Sequence, residues 1–151
     1  MYGYVGSVLG EKGREVYSTS PAATVREAVH EMNERGVGAL LVMEGDTIVG
    51  IFTERDVLRR VVGPGRHAAV TRVGEVMTPD PTTVPSSMHV EEAMRLMTEH
   101  RFRHLPIVDE GRLAGLVSIG DLTRLVSTYQ QEHIQRMSEY IIGGEAVILR
   151  Q

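Results

Sequence analysis

The sequence predicts an α/β (α+β) fold in which two pseudo-symmetric repeats, each a small sheet covered by helices, pack sheet to sheet into one module. The first observation behind this prediction is an internal repeat: residues 24–62 align without a gap with residues 89–127 when the sequence is shifted by 65 positions. The second is that both copies show the same succession of helical and extended patterns. Identical residues in the two copies include Val25 and Val90, Glu27 and Glu92, Ala28 and Ala93, Met32 and Met97, Glu34 and Glu99, Leu40 and Leu105, Gly50 and Gly115, Asp56 and Asp121, Arg59 and Arg124, and Val61 and Val126.

Each copy opens with a predicted helix. In the first copy Thr24 and Glu27 form a capping-box pattern, and Gly36 marks the helix end. The apolar residues between them recur at helical spacing, which predicts one buried face. They are Val25, Ala28, Val29 and Met32 in the first copy and Val90, Ala93, Met94 and Met97 in the second.

Two strands and a second helix follow in each copy. Residues 39–43 and 48–52 are apolar runs separated by the turn pattern Glu44-Gly45-Asp46, which predicts a hairpin. In the second copy residues 103–108 form the extended segment and residues 109–111 the turn. The second helix carries Val57, Leu58, Val61 and Val62 in the first copy and Leu122, Leu125 and Val126 in the second.

The segments around the repeats complete the predicted organisation. Residues 63–66 form a loop, and Thr78-Pro79-Asp80-Pro81 breaks the chain before an extended segment at residues 82–84, whose counterpart is residues 16–18. Residues 129–142 predict a separate helix that ends at Gly143-Gly144, with a candidate edge strand at residues 146–149. The expected domains are an N-terminal segment (1–13), the first repeat (14–63), a linker (64–76), the second repeat (77–127), and a C-terminal helix with a short tail (128–151).

The composition excludes several classes of protein. With 42% hydrophobic and 24% charged residues and no apolar run long enough to cross a bilayer, a soluble globular protein is expected. The absence of cysteine excludes disulfides, thiolate metal sites and cysteine nucleophiles. A net charge of -4 without a Lys/Arg cluster argues against nucleic acid as a partner. The first residues show no export signal, so the cytoplasm is the expected location.

The most informative motif lies where the second strand of each copy meets the following helix. It reads Gly, two apolar residues, Thr or Ser, two further residues and Asp, at residues 50–56 and again at residues 115–121. A helix start offers unpaired backbone N–H groups to a phosphate, and an aspartate there can accept hydrogen bonds from both hydroxyls of a ribose. The alternative is that Thr53 or Ser118 only caps its helix together with the aspartate. The occurrence of the motif in both copies favours nucleotide binding over capping alone.

Several motifs together resemble a known family. Both copies contain V-x-E-A-x-x-x-M-x-E and G-h-h-[TS]-x-x-D, where h is apolar, and the second contains the run Arg103-His104-Leu105-Pro106-Ile107-Val108-Asp109. Over roughly residues 14–127 the chain is similar to the paired cystathionine β-synthase (CBS) repeats, or Bateman module. The resemblance implies two clefts between the repeats, with adenine against apolar side chains, ribose on the aspartate, and phosphate on basic residues of the opposite repeat. It also implies a flat homodimer.

Carried onto this sequence, the resemblance implies two unequal clefts. The stronger nucleotide-binding cleft is expected to use Ile51, Thr53, Arg55, Asp56, Thr82, Thr83, Arg103 and His104. The weaker cleft is expected to use Tyr17, Ser18, Gly38, Ala39, Leu116, Ser118 and Asp121. Gly38 and Ala39 stand where the other repeat has Arg103 and His104, so the weaker cleft lacks those phosphate contacts. A lost charged hydrogen bond weakens binding by about tenfold to a hundredfold.

The expected function is regulatory binding of an adenine nucleotide, as an energy or redox sensor, without catalysis. AMP is the first candidate ligand, and ATP, ADP and NAD(H) are alternatives; the family also uses such clefts for S-adenosylmethionine. No enzyme is expected because the chain lacks a Walker loop, a G-x-S-x-G elbow and a G-x-G-x-x-G fingerprint. No metal site is expected because His100 and His104 have no third ligand at suitable spacing. The expected partners are a second copy and an unidentified target protein, and the alternative function is a structural adaptor or dimerisation module with vestigial clefts.

Overall fold

Two helix–strand–strand–helix units form the body of the protein, as the internal repeat predicts. The computed structural model describes residues 2–148, with side chains through residue 143. Within these residues no helix combines the length and the apolar character needed to span a bilayer. In chain order the elements are α1 (Gly6–Lys12), β1 (Ser18–Thr19), α2 (Val25–Arg35), β2 (Ala39–Glu44), β3 (Thr47–Thr53), α3 (Glu54–Asp56) with a π-helical continuation (Val57–Val62), α4 (Val73–Val76), β4 (Thr78–Pro79), α5 (Val90–His100), β5 (His104–Asp109), β6 (Arg112–Ser118) and α6 (Ile119–Ile148).

Local sequence signals define the first helix of each unit. Thr24 Oγ1 accepts a hydrogen bond from the Glu27 amide at 3.1 Å, and the Glu27 carboxylate accepts one from the Thr24 amide at 3.2 Å, so the predicted capping box is present. Gly36 ends α2 in the left-handed conformation, at φ 63°. Arg101 ends α5 in the same conformation, at φ 58°. The buried residues are Val25, Ala28 and Met32 on α2 and Val90, Ala93 and Met97 on α5.

Each unit contributes an antiparallel hairpin, β2 with β3 and β5 with β6. In the first sheet β1 lies parallel to β2 on one edge and β4 lies antiparallel to β3 on the other, giving the order β1-β2-β3-β4. Beside the second hairpin, Val84 makes a parallel bridge to Ile107, the position that Thr19 holds beside Val42 in the first sheet. The pseudo-symmetry therefore extends beyond the aligned residues.

Alternate residues of β2 contribute to two different apolar clusters. Leu40 and Val42 are fully buried in the core of the first repeat, together with the apolar face of α2. Leu41 belongs to another cluster, which also includes Leu113 and Leu116 of β6. Because successive side chains of a strand point to opposite faces, this second cluster lies between the two sheets. The repeats thus pack sheet to sheet, as expected.

The core of each repeat is completed by a segment that precedes the other repeat. α1 buries Val8 and Leu9 in the core of the second repeat. α4 buries Val73 and Val76 in the core of the first. Gly115 permits the approach of α1, since a Cβ atom there would lie 2.5 Å from Leu9 Cδ2. The end of α1 is thereby placed beside β6.

The C-terminal region differs from the prediction. Residues 129–142 are not a separate helix, because α6 runs without a break from Ile119 to Ile148. Gly143 and Gly144 do not end it, since a glycine in a helix interior costs only about 1 kcal/mol. The predicted edge strand at residues 146–149 is wrong for residues 146–148, which are helical, and Leu149 lies outside the described residues.

The segment predicted to break the chain at residues 78–81 contains a short strand. Thr78 and Pro79 of β4 pair with Ile51 and Gly50 of β3. Proline is compatible with this position because β4 lies at the edge of the sheet. The chain then turns at Asp80, with φ 46°, and residues 82 and 83 form no strand.

Gly50 lies where β4 passes close to β3. A Cβ atom at this position would lie 2.5 Å from Met77 Sδ and 2.9 Å from the Thr78 carbonyl oxygen. We expect Gly50→Ala to lower the free energy of unfolding by about 1–3 kcal/mol, because the backbone of β4 must move. Gly10→Ala on α1 is the control, since its added Cβ would meet nothing within 4 Å. Urea denaturation measures both, and equal stability of the two variants would contradict the prediction.

Candidate functional site

A cavity of about 310 Å³ lies at the junction of the two repeats. The first repeat contributes the end of β3 and the start of α3, and the second contributes the end of α5 and the start of β5. The lining residues are Gly38, Ile51, Thr53, Glu54, Arg55, Asp56, Thr78, His100, Arg101, Phe102, Arg103 and His104. The cavity therefore joins the strand-to-helix motif of one repeat to the basic run of the other.

Asp56 caps α3 together with Thr53. Its Oδ2 accepts hydrogen bonds from the Thr53 amide at 3.0 Å and from the Thr53 hydroxyl at 3.3 Å. Thr53 Oγ1 accepts a hydrogen bond from the Asp56 amide at 3.4 Å. This is the capping arrangement that the sequence offers as the alternative to a ligand site. Both features are present at once, because Asp56 also lines the cavity.

The other carboxylate oxygen of Asp56, Oδ1, accepts fewer hydrogen bonds than Oδ2. It accepts a hydrogen bond from Thr78 Oγ1 at 3.1 Å and lies 3.7 Å from Arg60 Nε. Only 5% of Asp56 is exposed, so these contacts are well shielded from water. Because a carboxylate offers about four acceptor positions, Asp56 retains capacity for a further donor while it caps its helix.

Basic side chains line the cavity and an adjoining groove of about 840 Å³. Arg55, Arg101 and Arg103 line both spaces, and Arg59 lines the groove. Arg55 Nη1 donates to the Arg101 carbonyl oxygen at 2.8 Å, which connects the two repeats. Among the side chains that the structure describes, no carboxylate lies within 4.0 Å of any of these four guanidinium groups. The cavity lining thus carries three guanidinium groups against the two carboxylates of Glu54 and Asp56, and in a chain of net charge -4 this local excess of positive charge favours an anionic ligand.

His104 begins β5 and lines the cavity beside Arg103. Burial lowers the pKa of its imidazole, the Lys12 and Arg103 charges lower it further, and the Asp121 carboxylate opposes them. The imidazole is therefore neutral at pH 7. In this state it can donate one hydrogen bond but adds no positive charge.

The lowered pKa of His104 makes stability depend on pH. In the unfolded chain the imidazole titrates near its usual value of about 6.5, so below that pH the unfolded state binds more protons than the folded state. We expect the melting temperature to fall as the pH drops from about 7.5 to 5.5, and His104→Gln to reduce this fall. His67→Gln is the control because His67 is exposed. Thermal unfolding across this range measures the effect, and an unchanged pH dependence in His104→Gln would refute it.

Ser118 and Asp121 repeat the capping arrangement at the start of α6. Asp121 Oδ2 accepts a hydrogen bond from the Ser118 amide at 2.8 Å, and Ser118 Oγ accepts one from the Asp121 amide at 3.1 Å. Lys12 Nζ donates to Asp121 Oδ2 at 2.7 Å and to the Leu116 carbonyl oxygen at 2.9 Å. Burial acts to raise the pKa of Asp121, but the hydrogen bonds from Lys12 and Ser118 outweigh it and hold that pKa below its usual value.

Six of the eight residues predicted for the stronger cleft line the cavity: Ile51, Thr53, Arg55, Asp56, Arg103 and His104. The structure does not place Thr82 and Thr83 in this lining. Both are exposed, because the turn at Asp80 carries the chain away from β3. Thr78 instead lies beside Asp56.

The residues predicted for the weaker cleft do not all meet. Gly38 lines the cavity on the Asp56 side, where an added Cβ would lie 3.2 Å from the Glu54 carboxylate. Ala39 and Leu116 pack in the cluster between the sheets. Ser118 and Asp121 do meet, but they line neither the cavity nor the adjoining groove.

The other two residues predicted for the weaker cleft lie in the first repeat. The Tyr17 ring has the Arg35 guanidinium 4.8 Å from its centroid, and it packs against the core of the first repeat. Ser18 pairs with Leu41 in the first sheet. Neither residue hydrogen-bonds to Asp121, whose partners are Ser118, Lys12 and Arg124.

Sequence reasoning missed several residues at the two junctions. Thr78 and Lys12 lie outside the aligned copies, so the repeat gives no signal for them. A signal does exist for Arg101, because the alignment pairs it with the helix-ending Gly36. A residue other than glycine in the left-handed conformation is uncommon, and its presence suggests a role for its side chain. The side chain of Arg101 has such a role available, because Arg101 lines both the cavity and the groove.

Among the side chains that the structure describes, those of residues 2–143, no group of three or more histidine, aspartate or glutamate residues is arranged to hold a metal ion. His100 is one of the two histidines that the sequence analysis considers as metal ligands. Its ring stacks with that of Phe102, with 5.7 Å between the ring centroids. Both of these rings line the cavity. They contribute flat, largely apolar surface to it.

The fold and the junction together define a class of protein: a pair of pseudo-symmetric α/β repeats that pack sheet to sheet and line a cavity at their junction. The family model of the CBS domain matches the chain twice, at residues 9–63 and 73–128. The chain therefore belongs to the CBS domain family and carries two such domains, as the sequence resemblance implies.

Known proteins with CBS domains are similar to this chain over most of its length. A solved structure of a protein with CBS domains from Burkholderia ambifaria MC40-6 is 47% identical, covers 82% of this chain and 93% of that one, and has a TM-score of 0.79. The CBS domain-containing protein CBSX3, mitochondrial, of Arabidopsis thaliana is 42% identical over 126 residues, which are 80% of this chain but only 61% of that protein. The structure of CBSX2 in complex with AMP is 27% identical, covers 83% of this chain and 97% of that one, and has a TM-score of 0.67.

Proposed function

We propose that this CBS pair is a regulatory protein that binds an adenine nucleotide in the Asp56 cavity. The observation that carries the proposal is the set of side chains that line this cavity. They are a buried carboxylate with unused acceptor capacity, Asp56, and three guanidinium groups that outnumber the two carboxylates of the lining, Asp56 and Glu54. A ribose needs the first feature and a phosphate needs the second. No apolar ligand would require either.

The lining provides a place for each part of a nucleotide. A ribose hydroxyl donates to Asp56, and the phosphate meets Arg103, Arg55 and the neutral His104. Adenine packs against Ile51 and Phe102, which supply apolar surface at the same junction. The Thr53 hydroxyl and the amides at the start of α3 support the arrangement by keeping Asp56 in position.

AMP is the first candidate ligand, because the CBSX2 relative was solved in complex with AMP. The groove that continues past Arg101 to Arg59 has room for the longer phosphate chains of ADP and ATP or for the second nucleoside of NAD(H). These ligands are therefore the alternatives to AMP.

The proposed role is regulation without catalysis. Arg55 and Arg101 connect the repeats through a hydrogen bond at the cavity. A phosphate that competes for the Arg55 guanidinium would stabilise a different relative arrangement of the repeats, and a target protein would respond to that change. Such a shift requires that the nucleotide bind the two arrangements with different affinity. We keep a homodimer and a cytoplasmic location as predictions; the CBSX3 relative is named as mitochondrial.

A structural adaptor is the second candidate function. It is favoured by an apolar stripe on the exposed face of α6, where Ile134 is 67%, Met137 54% and Ile141 57% exposed. In this alternative α6 docks on a partner and the clefts bind nothing. The two functions differ in whether adenine nucleotides bind at all.

Calorimetric titration of the chain with AMP, ATP, NAD and NADH tests the proposal. Adenosine and GMP are the controls, since the first lacks a phosphate and the second lacks adenine. We expect saturable binding of at least one adenine nucleotide and weaker binding of both controls. At a hundred times the dissociation constant the ligand should add about 2.7 kcal/mol to the free energy of unfolding. If no adenine nucleotide gives heat or thermal stabilisation, the adaptor function is the better account.

A further inference from the structure

The second strand-to-helix junction holds an ammonium group of the chain itself. Lys12 Nζ lies 2.7 Å from Asp121 Oδ2 and 2.9 Å from the Leu116 carbonyl oxygen. In the internal repeat Asp121 corresponds to Asp56 and Leu116 corresponds to Ile51. Lys12 therefore binds the two residues that correspond to Asp56 and Ile51 of the proposed nucleotide site at the first junction.

The first junction has no ammonium group among the described residues; the Arg60 guanidinium lies nearby, with Nε 3.7 Å from Asp56 Oδ1, which is beyond hydrogen-bond distance. The repeat offset of 65 pairs Lys12 with Met77, a neutral residue whose side chain packs against the core of the first repeat. The residue that reaches Asp56 from this side is Thr78, through a hydroxyl at 3.1 Å. The hydrogen bond that Asp56 accepts from this side thus comes from a neutral hydroxyl, with the Arg60 guanidinium farther away at 3.7 Å, whereas Asp121 accepts a direct hydrogen bond from an ammonium group at 2.7 Å.

The position of Lys12 is set by packing. It is the last residue of α1, and Val8 and Leu9 of the same helix are buried in the core of the second repeat. The Lys12 side chain is 38% exposed and that of Asp121 is 11% exposed. The Lys12 ammonium group therefore contacts a mostly buried carboxylate from the solvent side. Rotation of this side chain would uncover the acceptors without any movement of α1.

We propose that Lys12 determines how many nucleotides the chain binds. In the native chain its ammonium competes with a ribose for Asp121, so nucleotide enters the Asp56 cavity alone. Once Lys12 is replaced by a neutral residue, the Asp121 junction becomes a second site for the same class of ligand. This inference rests on the proposed function.

The second site should be the weaker of the two after it opens. Gly38 and Ala39 stand where the other repeat has Arg103 and His104, so the phosphate loses those contacts. We expect a dissociation constant about tenfold to a hundredfold higher than at the Asp56 cavity, from the loss of a charged hydrogen bond.

The test is calorimetric titration of the full chain with the adenine nucleotide that binds most tightly. We expect one equivalent per chain for the native protein, two for Lys12→Met, and one for Lys12→Arg, which keeps the positive charge. Lys12→Met retains a long apolar stem and copies the residue found at position 77, and Lys12→Ala provides a second neutral variant. Thermal unfolding without ligand establishes that each variant is folded.

The double variant Lys12→Met with Asp121→Ala should return to one equivalent, which locates the second site at Asp121. If both neutral variants keep one equivalent, the inference is overturned and the proposed function stands. Two equivalents in the native chain, one of them lost in Asp121→Ala, would also overturn it. If nucleotide bound only to the neutral Lys12 variants, and Asp121→Ala abolished that binding, the role of Lys12 would be supported and the Asp56 site refuted. If no chain bound nucleotide, both proposals would be refuted.

Discussion

Asp56→Ala should weaken adenine-nucleotide binding by about tenfold to a hundredfold. The substitution removes a carboxylate that lines the cavity and has acceptor capacity left for the ribose. A hydrogen bond to a charged group contributes about 1.5–3 kcal/mol, which corresponds to this range of affinity. Calorimetric titration of the variant with AMP, ATP, NAD and NADH measures the change.

Asp121→Ala is the matched control, because Asp121 has the same place in the second repeat. Its carboxylate is already held by Lys12 and Ser118, so we expect its removal to leave the affinity of the Asp56 cavity unchanged. Equal weakening by the two substitutions would contradict the prediction that the clefts are unequal. If only Asp121→Ala weakened binding, the nucleotide site would lie at the Asp121 junction and not at the Asp56 cavity.

The structural role of Asp56 must be separated from its role in binding. Asp56 caps α3, and loss of a cap costs about 0.5–2 kcal/mol of stability. Titrations should therefore be run well below the melting temperature of the variant without ligand. Asp56→Asn is a useful companion, because it keeps the size of the side chain but replaces one acceptor oxygen with a donor group. We expect its affinity to fall between those of the native chain and Asp56→Ala.

The features of the fold that the sequence predicted correctly depend on short-range patterns. The capping box of Thr24 and Glu27, the helix end at Gly36 and the hairpin turn at residues 44–46 each involve neighbours in the chain. The internal repeat then extends these local signals to a second copy. The packing of the sheets follows because each hairpin has apolar residues on both faces.

The features that were missed depend on contacts between distant segments. Lys12 reaches Asp121 across 109 positions of the chain, and this contact exists because α1 packs on the second repeat. Thr78 reaches Asp56 because β4 pairs with β3. Neither contact leaves a periodic signal in the sequence, since α1 and β4 are short and lie outside the aligned copies. Thr82 and Thr83 were expected beside Asp56 for the same reason: the pairing that places Thr78 there was not visible.

The continuous helix α6 shows a second reason why prediction from the sequence fails. Two adjacent glycines, Gly143 and Gly144, predict a helix end, yet the helix continues to Ile148. Helix propensity is a small preference per residue, and it loses to the cooperativity of a helix already formed over many turns. Arg101 is the reverse case, because a helix ends there without the glycine that marks the end of α2.

Phe52→Ala should destabilise the protein more than any substitution at the cavity. Phe52 is fully buried in the core of the first repeat, on the strand that leads into the Thr53 and Asp56 cap. Truncation of a buried phenylalanine to alanine costs about 3–5 kcal/mol. For a chain of this length that corresponds to a fall in melting temperature of roughly 6–20 °C. Calorimetry or circular dichroism during heating measures it.

The other phenylalanine of the chain, Phe102, is the control that separates stability from binding. It is partly exposed and lines the cavity, where its ring stacks with His100. Phe102→Ala should therefore cost less stability than Phe52→Ala and should weaken nucleotide binding at temperatures where the variant is fully folded, because adenine loses apolar surface. Phe102 also packs against the core of the second repeat, so some loss of stability is expected; a larger loss in Phe102→Ala than in Phe52→Ala would contradict the prediction.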